Sequence, residues 1–321
     1  MNKKKLLLII IPIAIIIGLS IFICCKLFIN KNASNNTNTN GKDEVISTNI
    51  TKGGSYSYNG NTSPIVVDTD EEVTINLSGV SITNESGPAI NVKNAKKVTI
   101  VLEDENTLNA TVNEDEEDSC IYSNSDLEIS GAGIINISSN LDGIVSKNNI
   151  TIKSGTYKLE TGDDGIKSKS IVTIDNGNFT INAKGDGVHA DGYLEINDGT
   201  LDINAEEGLE ATYIKINDGT INIKASDDGI NASDKSSDYS ILCEINGGNI
   251  TIVMEQGDTD GIDSNGDLIV NGGTINITCN SPFDYDGNAT YNGGTIIVNG
   301  QETNTITNQF MGGPQGGFDR R

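Results

Sequence analysis

A five-residue unit returns along this chain, and its recurrence restricts the possible folds more than any other feature. In order the copies are Asp142-Gly-Ile-Val-Ser, Asp164-Gly-Ile-Lys-Ser, Asp186-Gly-Val-His-Ala, Glu207-Gly-Leu-Glu-Ala, Asp228-Gly-Ile-Asn-Ala and Asp260-Gly-Ile-Asp-Ser, with Asp286-Gly-Asn read as a degenerate seventh. Successive copies are 22, 22, 21, 21, 32 and 26 residues apart. A second element keeps the same phase: Gly155-Thr, Gly177-Asn, Gly199-Thr, Gly219-Thr, Gly248-Asn, Gly273-Thr and Gly294-Thr. Between them lie short stretches in which Ile, Leu or Val alternates with polar residues, as in Leu194/Ile196 and Ile221/Ile223. Period-2 alternation over four to six residues marks half-buried strands. No helical pattern appears after residue 30.

One such unit cannot bury its own apolar face, whereas stacked units bury a continuous column of Ile, Leu and Val. The pattern therefore predicts an all-β fold, a parallel β-helix of roughly 11 coils rising ~4.8 Å each, about 50 Å in all. The longer spacings at Ser233–Tyr239 and Glu255–Thr259 are expected to be insertions at corners. The unit is too short for a four-stranded propeller blade.

Leu6 to Cys25 is a run of 20 residues without charge. That is enough to cross a hydrocarbon core of ~30 Å. Lys3, Lys4 and Lys5 precede it, which places the N-terminus in the cytoplasm and the body outside. Large residues at Ile21-Phe22-Ile23 suit neither signal cleavage nor a lipoprotein acceptor at Cys24, the two rival readings. The expected organisation is one transmembrane helix in 1–30, an Asn-rich linker at 31–45, the β-helix at 46–305 and a Gly-rich tail at 306–321. Such a chain sits in the cell membrane as a single-pass protein. Cys120, Cys243 and Cys279 read as small buried hydrophobes.

Charge narrows the partners. The chain carries −24, and five of its cations fall in the first 31 residues, where no acid occurs. A body this acidic repels phosphate backbones, which excludes nucleic acid. In a β-helix the repeated acid becomes a ladder with rungs ~4.8 Å apart. It comprises Asp142, Asp164, Asp186, Glu207, Asp228, Asp260 and Asp286, flanked by Asp163, Glu206, Asp227 and Asp258. Like charges on adjacent strands destabilise each other. Calcium at ~2.4 Å from each oxygen would bridge two rungs; the alternative is a solvated edge that keeps the rod soluble. A second row, on an outward strand face, holds Asn149, Ile171, Tyr193, Tyr213 and Leu242. Tyr193 and Tyr213 are expected as neighbours on adjacent coils, either a flat surface for sugar rings or ordinary ladder packing. Tyr157 aligns with Phe179, Leu201 and Ile221 and is expected in the core. His189, the only histidine, is expected at the surface between Lys167 and Glu210.

The stretches Gly185-Asp-Gly-Val-His-Ala-Asp191, Glu206-Glu-Gly-Leu-Glu-Ala211 and Ala225-Ser-Asp-Asp-Gly-Ile-Asn-Ala232 resemble a clostridial carbohydrate-binding family. So do Val73–Thr83, Gly87–Ile100 and Glu105–Leu108, and the resemblance spans roughly residues 45–300. It implies a right-handed, pectate-lyase-like parallel β-helix that binds cellulose, acidic sugars and calcium. The acidic loop Asn113–Asp118, Glu207 in an Asp position and the membrane segment depart from the family. An enzyme reading lacks its parts. Lyase chemistry of this kind relies on a strong base, and both arginines, Arg320 and Arg321, end the chain. The expectation is an extracellular, non-catalytic polysaccharide-binding protein with no catalytic residues; a structural adhesin or spacer is the alternative.

Overall fold

The computed structural model describes residues 47–113, 118–255 and 259–308. The expected transmembrane segment, the linker, the tail from 309 onward and the candidate ligand Asp258 lie outside the described residues. Among the described residues every regular element is a strand, and no helix is long and apolar enough to cross a membrane.

The strands form three parallel faces of a solenoid. The first face begins at Asn49–Ile50, ends at Ser281–Tyr285 and holds the Asp-Gly units. The second begins within Gly54–Asn61 and ends at Ala289–Tyr291. The third begins at the end of that same strand and runs to Thr295–Val298. Every strand pairs with its counterpart one coil away, about 11 turns in all. Among the described residues only the closing hairpin, Thr295–Val298 with Gln301–Thr303, is antiparallel.

Alternation becomes packing in this architecture. The expected inward column Ile150, Val172, Leu194, Ile214 and Cys243 pairs in register, and each member is fully buried. Tyr157, Phe179, Leu201 and Ile221 form another inward column. There the Tyr157 and Phe179 rings stack 4.6 Å apart at 8°. Each large side chain so buried contributes about 1.5–3 kcal/mol. Cys120 and Cys243 are buried, which pushes both thiols up to about 12; Cys279 is only partly covered.

The two glycine motifs have separate causes. Glycine in the Gly-Thr/Asn units turns a corner at positive φ, for example 117° at Gly199 and 111° at Gly219. In the Asp-Gly units the glycine is required by closeness. A Cβ at Gly165 would come within 2.6 Å of the Gly187 carbonyl oxygen on the next coil.

A third column was not singled out from the repeat. Asn197 donates to Asp175 at 2.9 Å, and Asn217, Asn246, Asn271 and Asn292 each donate to the preceding coil's side chain at 2.7–3.0 Å. This amide spine satisfies the corner between the second and third faces.

One ladder assignment is corrected. Asp260 pairs with Ser281, and Ile262 with Phe283. The last copy of the unit is therefore Ser281-Pro-Phe-Asp-Tyr, and Asp286 falls beyond it. The 21-residue step from 260 to 281 keeps the hydrophobic register, with Phe283 filling the inward position; Asp-Gly at 286 instead belongs to the following corner.

Candidate functional site

The acidic edge is built by the strands that start at the Asp-Gly units. Three of the carboxylates serve the backbone. One oxygen of Asp142 accepts the Asp164 N–H at 2.8 Å, Asp164 accepts that of Asp186 at 2.7 Å, and Asp228 accepts that of Asp260 at 3.0 Å. The remaining charge is handled differently along the edge, and the residue three positions after each acid decides how.

Lys167 and His189 stand three positions after Asp164 and Asp186, while Asp142, followed by Val145, has Lys167 beside it on the adjacent coil. Lys167 pairs with Asp164 and lies 4.0 Å from Asp142. Burial opposes the Lys167 charge, but the carboxylates of Asp164 and Asp142 outweigh it and push its pKa up. Burial raises Asp142 to about 7, aided by the Asp164 charge. His189 is not at the surface as expected; it is 6% exposed. Its Nδ1 lies 2.8 Å from Asp186 and 2.7 Å from Glu210, and its Nε2 lies 2.9 Å from Asp191. Burial works against protonation, yet these three carboxylates lift His189 to about 11. Burial would raise Glu210, but His189 and Lys235, the latter 2.6 Å away, bring it down to about 2. Asp186 stays near 6 because burial outweighs its bond to His189. His189 is thus a structural cation, held in place by acids that would otherwise repel one another.

Toward the C-terminal end the cations stop. Glu207, Asp227 and Asp228 offer oxygen atoms within 4.8 Å of one another. Glu207 reaches across one coil and accepts from Asn231 Nδ2 at 3.1 Å. Asn231 is 8% exposed, and its Oδ1 is buried without a hydrogen-bond partner. Among the described residues no ion pair reaches Asp227, Asp228 or Asp263. Burial raises Glu207 to about 8, with the Glu210 charge adding to it, and raises Asp228 and Asp263 to about 7. Asp263, facing Asp284 across one coil, extends the acid group and was not among the expected ligands. Its signal was available as the fourth residue of Asp260-Gly-Ile-Asp.

The tyrosine row lies on the second face. Tyr193 and Tyr213 pair in register, and Ile171 and Leu242 flank them. Their rings are 4.8 Å apart but tilted by 55°, so they do not form one flat surface. Tyr239, from the 233–239 insertion, stacks on Tyr193 at 6.0 Å and 16°. This third ring was not foreseen, because the insertion interrupts the repeat that locates the others. The hydroxyls also have partners. Tyr213 donates to Glu244. Burial, then the Glu195 and Glu244 carboxylates respectively, raise both phenols above their ordinary value. Lys215 lies 3.7 Å from Glu195 and offsets part of that charge. The result is a half-buried aromatic cluster rimmed by two carboxylates and one ammonium.

A profile described as carbohydrate-binding domain-containing protein matches residues 43–299. The chain belongs to this carbohydrate-binding family. A carbohydrate-binding domain-containing protein of Acetivibrio thermocellus (strain ATCC 27405) is 36% identical over 120 residues. That match covers 33% of this chain and 42% of the relative, so less than half of the curated relative's length is spanned. The polysaccharide lyase-like protein from C. thermocellum, solved as a gadolinium derivative, is 26% identical. The alignment covers 78% of this chain and 86% of that one, with a TM-score of 0.48. This member of the family carries the acidic edge on its first face and the aromatic cluster on its second.

Proposed function

We propose that the protein is a non-catalytic, membrane-anchored binder of extracellular polysaccharide. The observation that carries this reading is the half-buried cluster of Tyr193, Tyr213 and Tyr239 on an outward strand face of a carbohydrate-binding family member. Tyrosine rings give pyranose C–H faces an apolar contact, while Glu195, Lys215 and Glu244 at the rim can bond sugar hydroxyls. The uncharged segment Leu6–Cys25 would hold the body at the outer side of the cell membrane.

Calcium belongs to the same reading and fits one end of the edge. Glu207, Asp227 and Asp228 are an all-oxygen donor set of the kind calcium takes, and the orphaned Asn231 Oδ1 would complete it. Asp142, Asp164 and Asp186 already have Lys167 and His189 beside them and need no ion. Bound there, calcium would neutralise the carboxylates and bridge uronate groups; neutral glucan needs only the aromatic face.

The test is retention of the detergent-solubilised full-length chain on insoluble cellulose and on polygalacturonate, with calcium or with EGTA. The Tyr193→Ala/Tyr213→Ala variant should lose roughly 5- to 100-fold of its cellulose affinity, given ~0.5–1.5 kcal/mol per aromatic contact. Uronate retention should vanish with EGTA and persist in that variant. No retention on either polymer would favour a spacer, and release of reducing ends would favour an enzyme.

A further inference from the structure

The third face carries a feature that neither the tyrosine row nor the acidic edge uses. On its outward side Thr180, Asp202, Asn222 and Thr251 pair in one row across four coils. Asn182, Asn204, Lys224 and Val253 pair in the next row. These two rows line a groove of about 380 Å³. We infer that this groove is a second glycan site, which takes an uncharged, unbranched polysaccharide chain lying across the coils along the rod.

Few charges line the groove, although the chain carries −24. Its lining has one acid, Asp202, and one base, Lys224. Asp202 is bonded by Asn222 Nδ2 at 2.7 Å, and Lys224 pairs with Glu255 at 3.1 Å. Both charged groups of the lining are thus already partnered within the protein, so a neutral chain can lie over them without displacing or supplying an ion. Its polar groups are also held in place. Asn222 is fixed by Asp202, and Asn182 donates to Glu160 at 2.7 Å. Fixed side chains lose little rotamer freedom on binding, and each amide has an oxygen acceptor besides the Nδ2 already used.

The rows repeat at one coil, ~4.8 Å, so a polymer lying along the rod meets a side chain from each row at every step, polar at all of them but Val253. Val253 is 42% exposed, the one large apolar side chain so exposed among the described residues, and it provides a contact for a sugar's C–H face. One such residue is far from the apolar core of a stable protein interface, which argues against a second copy of this chain as the occupant. This inference rests on the protein being a glycan binder.

The test is titration of the full-length chain in detergent with cello-oligosaccharides of increasing length, in metal-free buffer, for wild type, Asp202→Ala/Asn222→Ala and Tyr193→Ala/Tyr213→Ala. The groove variant should bind the longer oligosaccharides about tenfold more weakly, the worth of two net hydrogen bonds. Wild-type affinity should rise with length until the ligand spans four coils, about 14 Å. Both groove substitutions are at exposed positions, and an unchanged melting temperature will show that the fold is intact. Wild-type affinity in the groove variant, with loss confined to the tyrosine variant, would overturn the groove and leave the glycan-binding reading standing. No binding by wild type at any length would overturn both. A wild-type dimer that becomes monomeric in the groove variant would show that this face meets another copy instead.

Discussion

The two ends of the acidic edge are built from the same repeat and are electrostatically opposite. At Asp164 and Asp186 the residue three places on, Lys167 or His189, supplies a fixed cation; Asp142, whose own such residue is Val145, shares Lys167 from the next coil. At Asp228 and Asp260 that place holds Asn231 and Asp263, and the carboxylates are buried against each other. The repeat sets where each acid sits because strand pairing sets it. The non-repeating position sets whether the acid is neutralised from within or requires something from outside. Asp-Gly units are therefore not equivalent, and the residue three places on, from the acid's own coil or the next, separates those with an internal cation from those without one.

The largest test of this contrast removes the internal cation. Lys167→Met keeps the apolar stem but leaves Asp142 and Asp164, 2% and 4% exposed, without their ammonium. Breaking a buried pair from one side costs about 3 kcal/mol. We expect a melting temperature lower by many degrees, and partial recovery in millimolar calcium, because Asp142, Asp163 and Asp164 then resemble the cation-poor end. A small loss with no response to calcium would show that the edge does not need neutralising there.

The second test is pH dependence at the cation-poor end. Glu207, Asp228 and Asp263 have folded-state values above their unfolded ones, near 8, 7 and 7. Their protonated forms fit the fold better. The stability they contribute is complete below about pH 4 and is lost as pH rises through 7–8. Glu210, brought down to about 2, acts oppositely and loses its contribution only as pH falls below the ordinary carboxylate range. In metal-free buffer the melting temperature should therefore peak near pH 4–5 and decline toward pH 8. Calcium at ten times its dissociation constant should restore about 1.4 kcal/mol at neutral pH. Asp227→Asn/Asp228→Asn should make the decline shallower, leaving the part due to Glu207, Asp263, Asp142 and Asp186, and remove most of the calcium response. A calcium shift that survives this variant would place the ion elsewhere.

Legibility followed the repeat. The inward columns, the Tyr157–Phe179 stack and the Tyr193–Tyr213 pairing were readable, because a parallel solenoid turns sequence spacing directly into neighbourhood. Asp286 was misplaced where the repeat's own residues changed to Ser281-Pro-Phe, so that an Asp-Gly dipeptide outside the register looked like the better match. The pairing of Lys167 and His189 was only half visible: their rows were known, but side-chain direction decides whether a charge faces the ladder or the solvent. Tyr239 and Lys235 were invisible for a further reason. Both lie in the 233–239 insertion, which has no counterpart on other coils, and a loop's path depends on the side chains it meets. Here Thr212 Oγ1 receives the Lys235 and Ser236 N–H groups at 3.0 and 2.9 Å and sets that path.

Lys235 gives the smallest and sharpest test, because it sits at the boundary between the two ends. Its ammonium is 2.6 Å from Glu210, but the side chain is 37% exposed, so water screens the pair. Lys235→Ala should therefore cost no more than about 1 kcal/mol. Its value lies in what it does to the boundary. Asp186, Glu207 and Glu210 already offer oxygens within 4.8 Å of one another. Lys235 is the loop-borne charge that favours ionised Glu210 without an ion from solution. Removing it leaves His189 as the cation between Asp186 and Glu210, with Lys169 3.4 Å from Asp191. If the division between internal and external neutralisation is right, the variant's melting temperature should rise more steeply with calcium than that of wild type. An identical calcium response would mean that the boundary lies C-terminal to Glu207, and that only Asp227, Asp228 and their neighbours call for an ion.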